Sequence, residues 1–268
     1  MSVLFTLKKS LKNILGWVTS KIHRCKYLLF TLLAVFMVSS GLEAQQQSQE
    51  STVVILLGPP GAGKGTQAGW LRGFLRLPHI STGDLLRANI REGSPLGKQA
   101  QAYIGQGKLV PDDLIFEILS KRIAMEDCRR GYILDGFPRT LDQANAYHER
   151  FAAPSHLFVF NLDLPEQSII ERLSQRLVCG ECSAPFHLKN SPPKVASCCD
   201  YCGGALVRRS DDREEVIRSR LLSYREQTAP LIAHYSKTSN LYTISCTQST
   251  QDVQSQIIQC LSKKIARP

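Results

Sequence analysis

The sequence predicts an α/β fold, a parallel sheet with helices on both faces, and three observations predict it. The apolar run Val53-Val54-Ile55-Leu56-Leu57 is long enough to form a strand buried on both sides. It runs directly into a glycine-rich loop, Gly58-Pro59-Pro60-Gly61-Ala62-Gly63-Lys64-Gly65-Thr66. Beyond that loop, short apolar runs alternate with segments of helical period, the pattern of successive βα units.

Residues 52–57 open the sheet, and a helix follows from 64 to about 75. His79-Ile80 reads as a short strand leading into Ser81-Thr82-Gly83-Asp84, a helix-start sequence. Residues 85–107 read as helical pieces broken at Gly93-Ser94-Pro95. Pro111-Asp112-Asp113 begins another helix, with Leu114, Ile118 and Leu119 on one side. Residues 132–134 form a short strand ending at Asp135, and 157–162 form another. A helix carrying Ile169, Ile170 and Leu173 comes next. A charged amphipathic helix is expected from 212 to about 224, a last strand over 241–244 and a last helix from 253 to about 264. In such a sheet, ligands bind outside the carboxyl ends of the strands, where the glycine loop lies.

Residues 1–50 differ from the rest and are set apart as an N-terminal extension. Residues 27–38 are almost wholly apolar and follow a basic stretch, which is short for a bilayer span and resembles the apolar region of a signal peptide. An export or anchor segment, an organelle-targeting extension and an upstream mis-assigned start, with Met37 as an internal start, all remain open. The expected location is cytoplasmic, with a membrane-anchored or exported form through residues 27–44 as the alternative.

The net charge of +10 raises the question of a nucleic-acid partner. However, residues 1–42 contain no Asp or Glu and carry Lys8, Lys9, Lys12, Lys21, Arg24 and Lys26, so most of the excess is N-terminal. The other basic residues suit an anion-handling site equally well, and no nucleic acid is expected.

Five of the nine cysteines fall between 179 and 202. Cys179-x₂-Cys182 and Cys199-x₂-Cys202 are separated by sixteen residues, a spacing that suits four thiolates on a tetrahedral Zn²⁺ in a reducing compartment. Four protein ligands leave no open position, so the site is expected to be structural. Cys198 and His187 are surplus to the pattern.

The glycine loop has the chemistry of a phosphate cradle. Its glycines allow close approach of backbone N–H groups, Lys64 adds a charge, and the following helix presents its positive end. Gly65 stands where the commoner phosphate-loop pattern has Ser or Thr, which here arrives as Thr66. In Asp135-Gly136-Phe137-Pro138-Arg139-Thr140, Asp135 ends a strand beside the loop, where a carboxylate can hold Mg²⁺ or its water shell. Arg139 offers a planar fork for phosphate. Arg172 and Arg176, four apart, are expected on one helical face. Arg209 and Arg220 flank Asp211-Asp212. Like charges gathered in this way favour an anion between them.

These residues resemble the bacterial, long-lid, zinc-containing adenylate kinases, from about Thr52 to the C-terminus. The markers are residues 58–67, Ser-Thr-Gly-Asp at 81–84, Asp-Gly-Phe-Pro-Arg-Thr at 135–140 and the spaced arginines; Lys-Gly-Thr is this family's form of the phosphate loop. The resemblance implies a P-loop nucleoside monophosphate kinase fold with a five-stranded parallel sheet. It divides residues 51–268 into a core (51–80, 111–174 and 213–268), an AMP-binding helical insertion (81–110) and a zinc-bearing lid (175–212). It implies that Gly61, Ala62, Gly63, Lys64, Gly65 and Thr66 wrap the ATP phosphates. Arg172 would lie over the ATP base, Arg176 would reach its phosphates, and Pro185, Phe186 and Gln248 would line its base and ribose. The AMP site would comprise Thr82, Arg87, Lys108, Leu109, Val110, Gly136, Phe137, Pro138, Arg139 and Gln143, with Arg209 and Arg220 completing the clamp. The catalytic set implied is Lys64, Asp135, Arg139, Arg176, Arg209 and Arg220. The reaction implied is Mg·ATP + AMP ⇌ 2 ADP, on a monomer with no obligate protein partner.

Two rivals share the chemistry: a kinase of UMP or CMP, and a GTP-using relative. A third, from another class, is a zinc-ribbon nucleotide-binding protein without turnover, against which the full arginine set argues. Within the family pattern, Arg76 stands where Gly is frequent at the end of the first helix, and Gly69 and Gly73 weaken that helix.

Overall fold

The computed structural model describes residues 50–265. The expectations for the N-terminal extension therefore lie outside the described residues. Among the described residues no helix is long and apolar enough to cross a membrane.

The chain begins with β1 (Thr52–Leu57), α1 (Lys64–Leu75), β2 (His79–Ser81), α2 (Thr82–Arg91), α3 (Pro95–Gly105) and α4 (Asp112–Ile123). Next come β3 (Gly131–Asp135), α5 (Leu141–Arg150), β4 (His156–Asp163) and α6 (Glu166–Ser174). A small antiparallel sheet follows, made of β5 (Arg176–Cys179), β6 (Pro185–His187) and β7 (Leu206–Val207), in the order β6-β5-β7. The chain closes with α7 (Glu214–Ser223), α8 (Pro230–Ser236), β8 (Leu241–Ser245) and α9 (Thr250–Ile265).

The main sheet has five strands in the order β2-β3-β1-β4-β8, every pair parallel. This is the five-stranded sheet that the resemblance implied. β1 is central because all its residues from Val53 to Leu57 are buried. Its side chains alternate between the two faces. Val54 and Leu56 join Leu71, Leu173, Leu221 and Ile257 in one core, whereas Val53, Ile55 and Leu57 join Leu86, Leu119, Tyr147 and Leu231 in the other. A run apolar at every position is thus required by helices on both sides. The chain crosses from β1 to the β2–β3 side and later to the β4–β8 side. Connections therefore diverge at the carboxyl end of β1, which opens a cleft there.

The structure corrects one local expectation and refines others. Arg172 and Arg176 do not share a helical face. α6 stops at Ser174, and Arg176 is the first residue of β5. The reason is strand pairing: Arg176, Leu177 and Val178 register with His187, Phe186 and Pro185. The β-branched and leucine residues here serve a sheet, so the four-residue spacing carries no helical meaning. The helix expected from 212 begins at Glu214, because Asp211 and Asp212 lie in a 3₁₀ turn with their carboxylates on arginines. Helix α5 was not foreseen; its start is marked by Thr140, whose Oγ1 accepts the Gln143 N–H at 3.0 Å.

Arg76 caps α1 in the left-handed region, φ 55° and ψ 39°. Glycine is favoured at such a helix end because Cβ is strained there, which is why this position departs from the family's pattern at an energetic cost.

Candidate active site

The phosphate loop leaves β1 alongside β4. A Cβ on Gly58 would lie 2.4 Å from the Leu162 carbonyl oxygen, so only glycine lets the loop pass. Gly63, at φ 94°, turns the chain into α1 and leaves the N–H groups of the first turn facing outward. Lys64 folds over this loop and donates from Nζ to the carbonyls of Gly58 (2.7 Å) and Pro59 (2.8 Å). Burial, assisted by Arg139, Arg220 and Arg176 and opposed by Asp135, draws its amine down to about 7. A lysine so placed gains charge when an anion arrives.

Asp135, at the end of β3, faces the same loop. A Cβ on Gly65 would sit 3.5 Å from Asp135 Oδ2, an ordinary contact, so the first turn of α1 runs directly beside this carboxylate. Burial pushes the Asp135 carboxyl up, but His79, Lys64 and Arg139 outweigh it and hold the group below its ordinary value. His79 Nε2 lies 3.4 Å from Asp135 Oδ2. Nothing in the sequence marks this histidine beyond its place at the start of β2.

A cleft opens between α2, α3, the loop after β3 and the Arg209–Arg220 segment. Its lining includes Thr82, Arg87, Lys108, Leu109, Val110, Gly136, Arg139, Gln143, Arg209 and Arg220, all of them expected at one site. Phe137 and Pro138 do not line it. Phe137 is 1% exposed and meets the Phe116 ring edge-on, so its side chain belongs to the core. Thr82 Oγ1 and Arg139 Nε both donate to the Gly136 carbonyl, at 2.9 and 2.8 Å. Gln143 is buried and holds this loop: its Oε1 accepts from the Arg139 N–H at 2.8 Å and its Nε2 donates to Asp112 at 2.6 Å. One amide hydrogen and one lone pair of Gln143 are not used by these two bonds.

Arg87 pairs with Asp84. Asp211 binds Arg209 through two hydrogen bonds, at 2.9 and 2.7 Å, and lies 3.2 Å from Arg220. Asp212 accepts from Arg176 and, at 3.1 Å, from Arg220. Two adjacent carboxylates thus hold three arginines from three elements. Their role was missed because Asp211-Asp212 reads in sequence as an ordinary acidic flank. Arg139 makes no ion pair among the described residues. Burial, together with Arg87 and Arg209, lowers its guanidinium from the usual value. Burial and Arg209 likewise draw Arg176 down to about 10. Cations pressed together against their own desolvation form a site that is completed by an anion.

Comparison with known proteins decides what kind of site this is. The family model for adenylate kinase matches residues 56–240. The chain is 43% identical over 210 residues to the adenylate kinase of Caldicellulosiruptor saccharolyticus, covering 78% of this chain and 98% of that protein. It is 45% identical over 213 residues to the adenylate kinase of Methanococcoides burtonii, with the same coverage. The enzyme of Clostridium tetani is 46% identical over 202 residues, 75% of this chain and 94% of its own length.

The chain belongs to the adenylate kinase family.

It is an enzyme of ATP:AMP phosphoryl transfer. In this member of the adenylate kinase family a second cleft is lined by Ser168, Glu171, Arg172, His187, Asn190 and Thr247. Arg172 Nη2 donates to the Cys246 carbonyl at 2.7 Å. His187 therefore lies beside Arg172 and not with the thiols. Pro185 is exposed, whereas Phe186 is buried against Cys179 and Cys199. Gln248 is exposed and accepts from Gln256 at 3.0 Å.

The thiols of Cys179, Cys182, Cys199 and Cys202 all lie within 4.8 Å of one another. Sγ–Sγ separations are 3.4 Å for Cys179–Cys202 and 3.6 Å for Cys182–Cys199, close to those of a thiolate tetrahedron with metal–sulfur bonds of about 2.3 Å. Backbone N–H groups of Cys182 and Glu181 lower the Cys179 thiol, whereas burial raises that of Cys182 and the neighbouring thiols raise that of Cys202, so the geometry and not the charge state marks the cluster. Cys198 stands apart and donates to the Gly203 carbonyl at 3.4 Å. These four residues can hold a metal ion.

Proposed function

We propose that the cleft lined by Arg87 and Arg139 takes AMP and the phosphate loop takes ATP, with the two nucleotides meeting between Lys64, Arg139 and the Asp211–Asp212 arginine cluster. The observation that carries this reading is the convergence of Arg87, Arg139, Arg209 and Arg220 on one cleft, with Arg139 and Arg220 also near enough to Lys64 of the phosphate loop to act on its charge. Arg87 and Arg139 would bind the AMP phosphate, and Thr82, residues 108–110, the backbone of 136–138 and Gln143 would seat its nucleoside. Residues 61–66 and Arg176 would bind the ATP phosphates. Arg172, the backbone of Pro185 and Phe186, and Gln248 would line its base and ribose.

An oxygen of the AMP phosphate then forms a bond to the γ-phosphorus as the bond to the β–γ bridging oxygen breaks. ADP leaves from each side with no covalent enzyme intermediate. The proteinʼs work is positioning and charge stabilisation. Lys64, Arg139, Arg176, Arg209 and Arg220 neutralise the equatorial oxygens in line. Asp135 would hold the water shell of Mg²⁺ bound with ATP, and the ion would add to the neutralisation of phosphate charge. Zn²⁺ is the metal that suits four thiolates at this spacing, and it would pin the lid.

The insertion (81–110) and the lid (175–212) would close on the core as substrates bind. A cytoplasmic monomer fits this reading, since a thiolate cluster needs reducing surroundings. A coupled assay offering AMP, UMP, CMP and GMP with ATP, and GTP with AMP, tests it. AMP with ATP is expected to be preferred by orders of magnitude; equal turnover of UMP would sink the assignment.

A further inference from the structure

Between α7 and α8 the helix widens. Tyr224–Thr228 forms a π-turn, closed by the Ala229 N–H donating to the Tyr224 carbonyl at 2.8 Å. Such turns insert one residue and re-aim those that follow; they recur at functional sites. Here the turn lies where the chain changes faces of the sheet. Ile217 and Leu221 of α7 belong to one core, and Leu231 and Tyr235 of α8 belong to the other.

The residue that the turn directs inward is Thr228, one of the few buried polar side chains, 8% exposed. Its hydroxyl donates to the Arg139 carbonyl at 2.8 Å. The Arg139 hydrogen bonds to Gly136 and Gln143 stay within four residues of it. Thr82 ties the same loop to α2 at the Gly136 carbonyl, whereas Thr228 ties Arg139 itself to the segment that follows α7. The helix that leads into the turn carries Arg220, which lines the same cleft as Arg139.

We propose that Thr228 is a positioning residue for AMP: its hydroxyl, set by the π-turn, fixes the Arg139 main chain relative to Arg220 and so holds the two arginines at the spacing one phosphate requires. The inference rests on the reading of Arg139 as a clamp on the AMP phosphate. Loss of the tie leaves the Arg139 carbonyl unpaired and frees the loop to shift, and small misplacements of a charged fork weaken binding.

The test is a steady-state kinetic series on the full enzyme. Thr228→Val keeps the shape and removes the donor. It is expected to raise KM for AMP roughly five- to tenfold, the effect of one buried hydrogen bond, with KM for ATP within about twofold. Thr228→Ala should give the same split, and Thr228→Ser, which restores the donor, should recover wild-type KM for AMP. Unchanged KM for AMP in the Val and Ala variants would overturn the inference. So would an equal rise in both KM values, or failure of Ser to rescue, because Thr228 would then serve only the fold. Arg139→Ala is measured alongside. If it too leaves KM for AMP unchanged, the clamp reading fails and this inference falls with it; if it alone is crippled, only the role of Thr228 is refuted.

Discussion

Lys64 should take up a proton when ATP binds. In the free protein its amine is drawn down to about 7, first by burial and then by Arg139, Arg220 and Arg176, and it is satisfied by two carbonyls. At pH 8 a group with that value is only about one-tenth protonated. A triphosphate beside it restores the charged form, so binding should be accompanied by uptake of about 0.9 proton at pH 8. The nucleotide contributes little at this pH, since the last phosphate ionisation lies near about 6. Isothermal titration of ATP in buffers of differing ionisation enthalpy measures the uptake directly. Lys64→Met should abolish it, and raising the pH from 7 to 8 should increase it in the wild-type protein. The same uptake in Lys64→Met, or none at pH 8 in the wild type, would refute the argument that this lysine is held uncharged until phosphate arrives.

Other expectations concern the framework. Asp211→Asn should destabilise the fold by on the order of 3 kcal/mol in urea unfolding, because it removes the carboxylate paired with buried Arg209 and one of the two paired with buried Arg220. Burial pushes the Asp211 carboxyl up, but Arg209 and Arg220 hold it well below the usual carboxylate range. Its contribution is therefore complete above about pH 4 and is lost as pH falls through the folded-state value; a wild-type acid titration no steeper than that of Asp211→Asn would contradict this. Arg76→Gly should stabilise by roughly 0.5–1 kcal/mol, about 2 °C in Tm, by relieving a left-handed backbone. Gly69→Ala, whose Cβ would meet nothing within 4 Å, should add about 1 kcal/mol. Chelation of the metal should expose the amides of β5–β7 to hydrogen exchange while those of β1 and β4 stay protected; unaltered exchange at β5–β7 would remove the structural role of the four cysteines.

Much of this protein was legible in its sequence because the relevant signals are local. The apolar run over 52–57, the glycine loop and Asp135 at a strand end each announce a conformation within a few residues. The two Cys-x₂-Cys pairs do the same for a cluster that the fold then closes to 4.8 Å. The list of AMP-site residues came with the resemblance, and all but Phe137 and Pro138 meet in one cleft. What could not be read was which elements supply partners from afar. Arg176 was placed on a helix because its spacing from Arg172 fits one, and only pairing with 185–187 shows it to be a strand residue. Asp211 and Asp212 were a flank until three arginines were seen to converge on them. Thr228 lies 89 residues from the carbonyl it holds.

Short-range backbone preferences and apolar periodicity act along the chain, so the residues alone specify the sheet, the phosphate loop and the family. The tertiary structure alone decided how the arginines are spaced and held, and what charge state Lys64 rests in. Burial and the electric field of neighbouring groups depend on which distant segments are brought together, and that information exists only once the chain is folded.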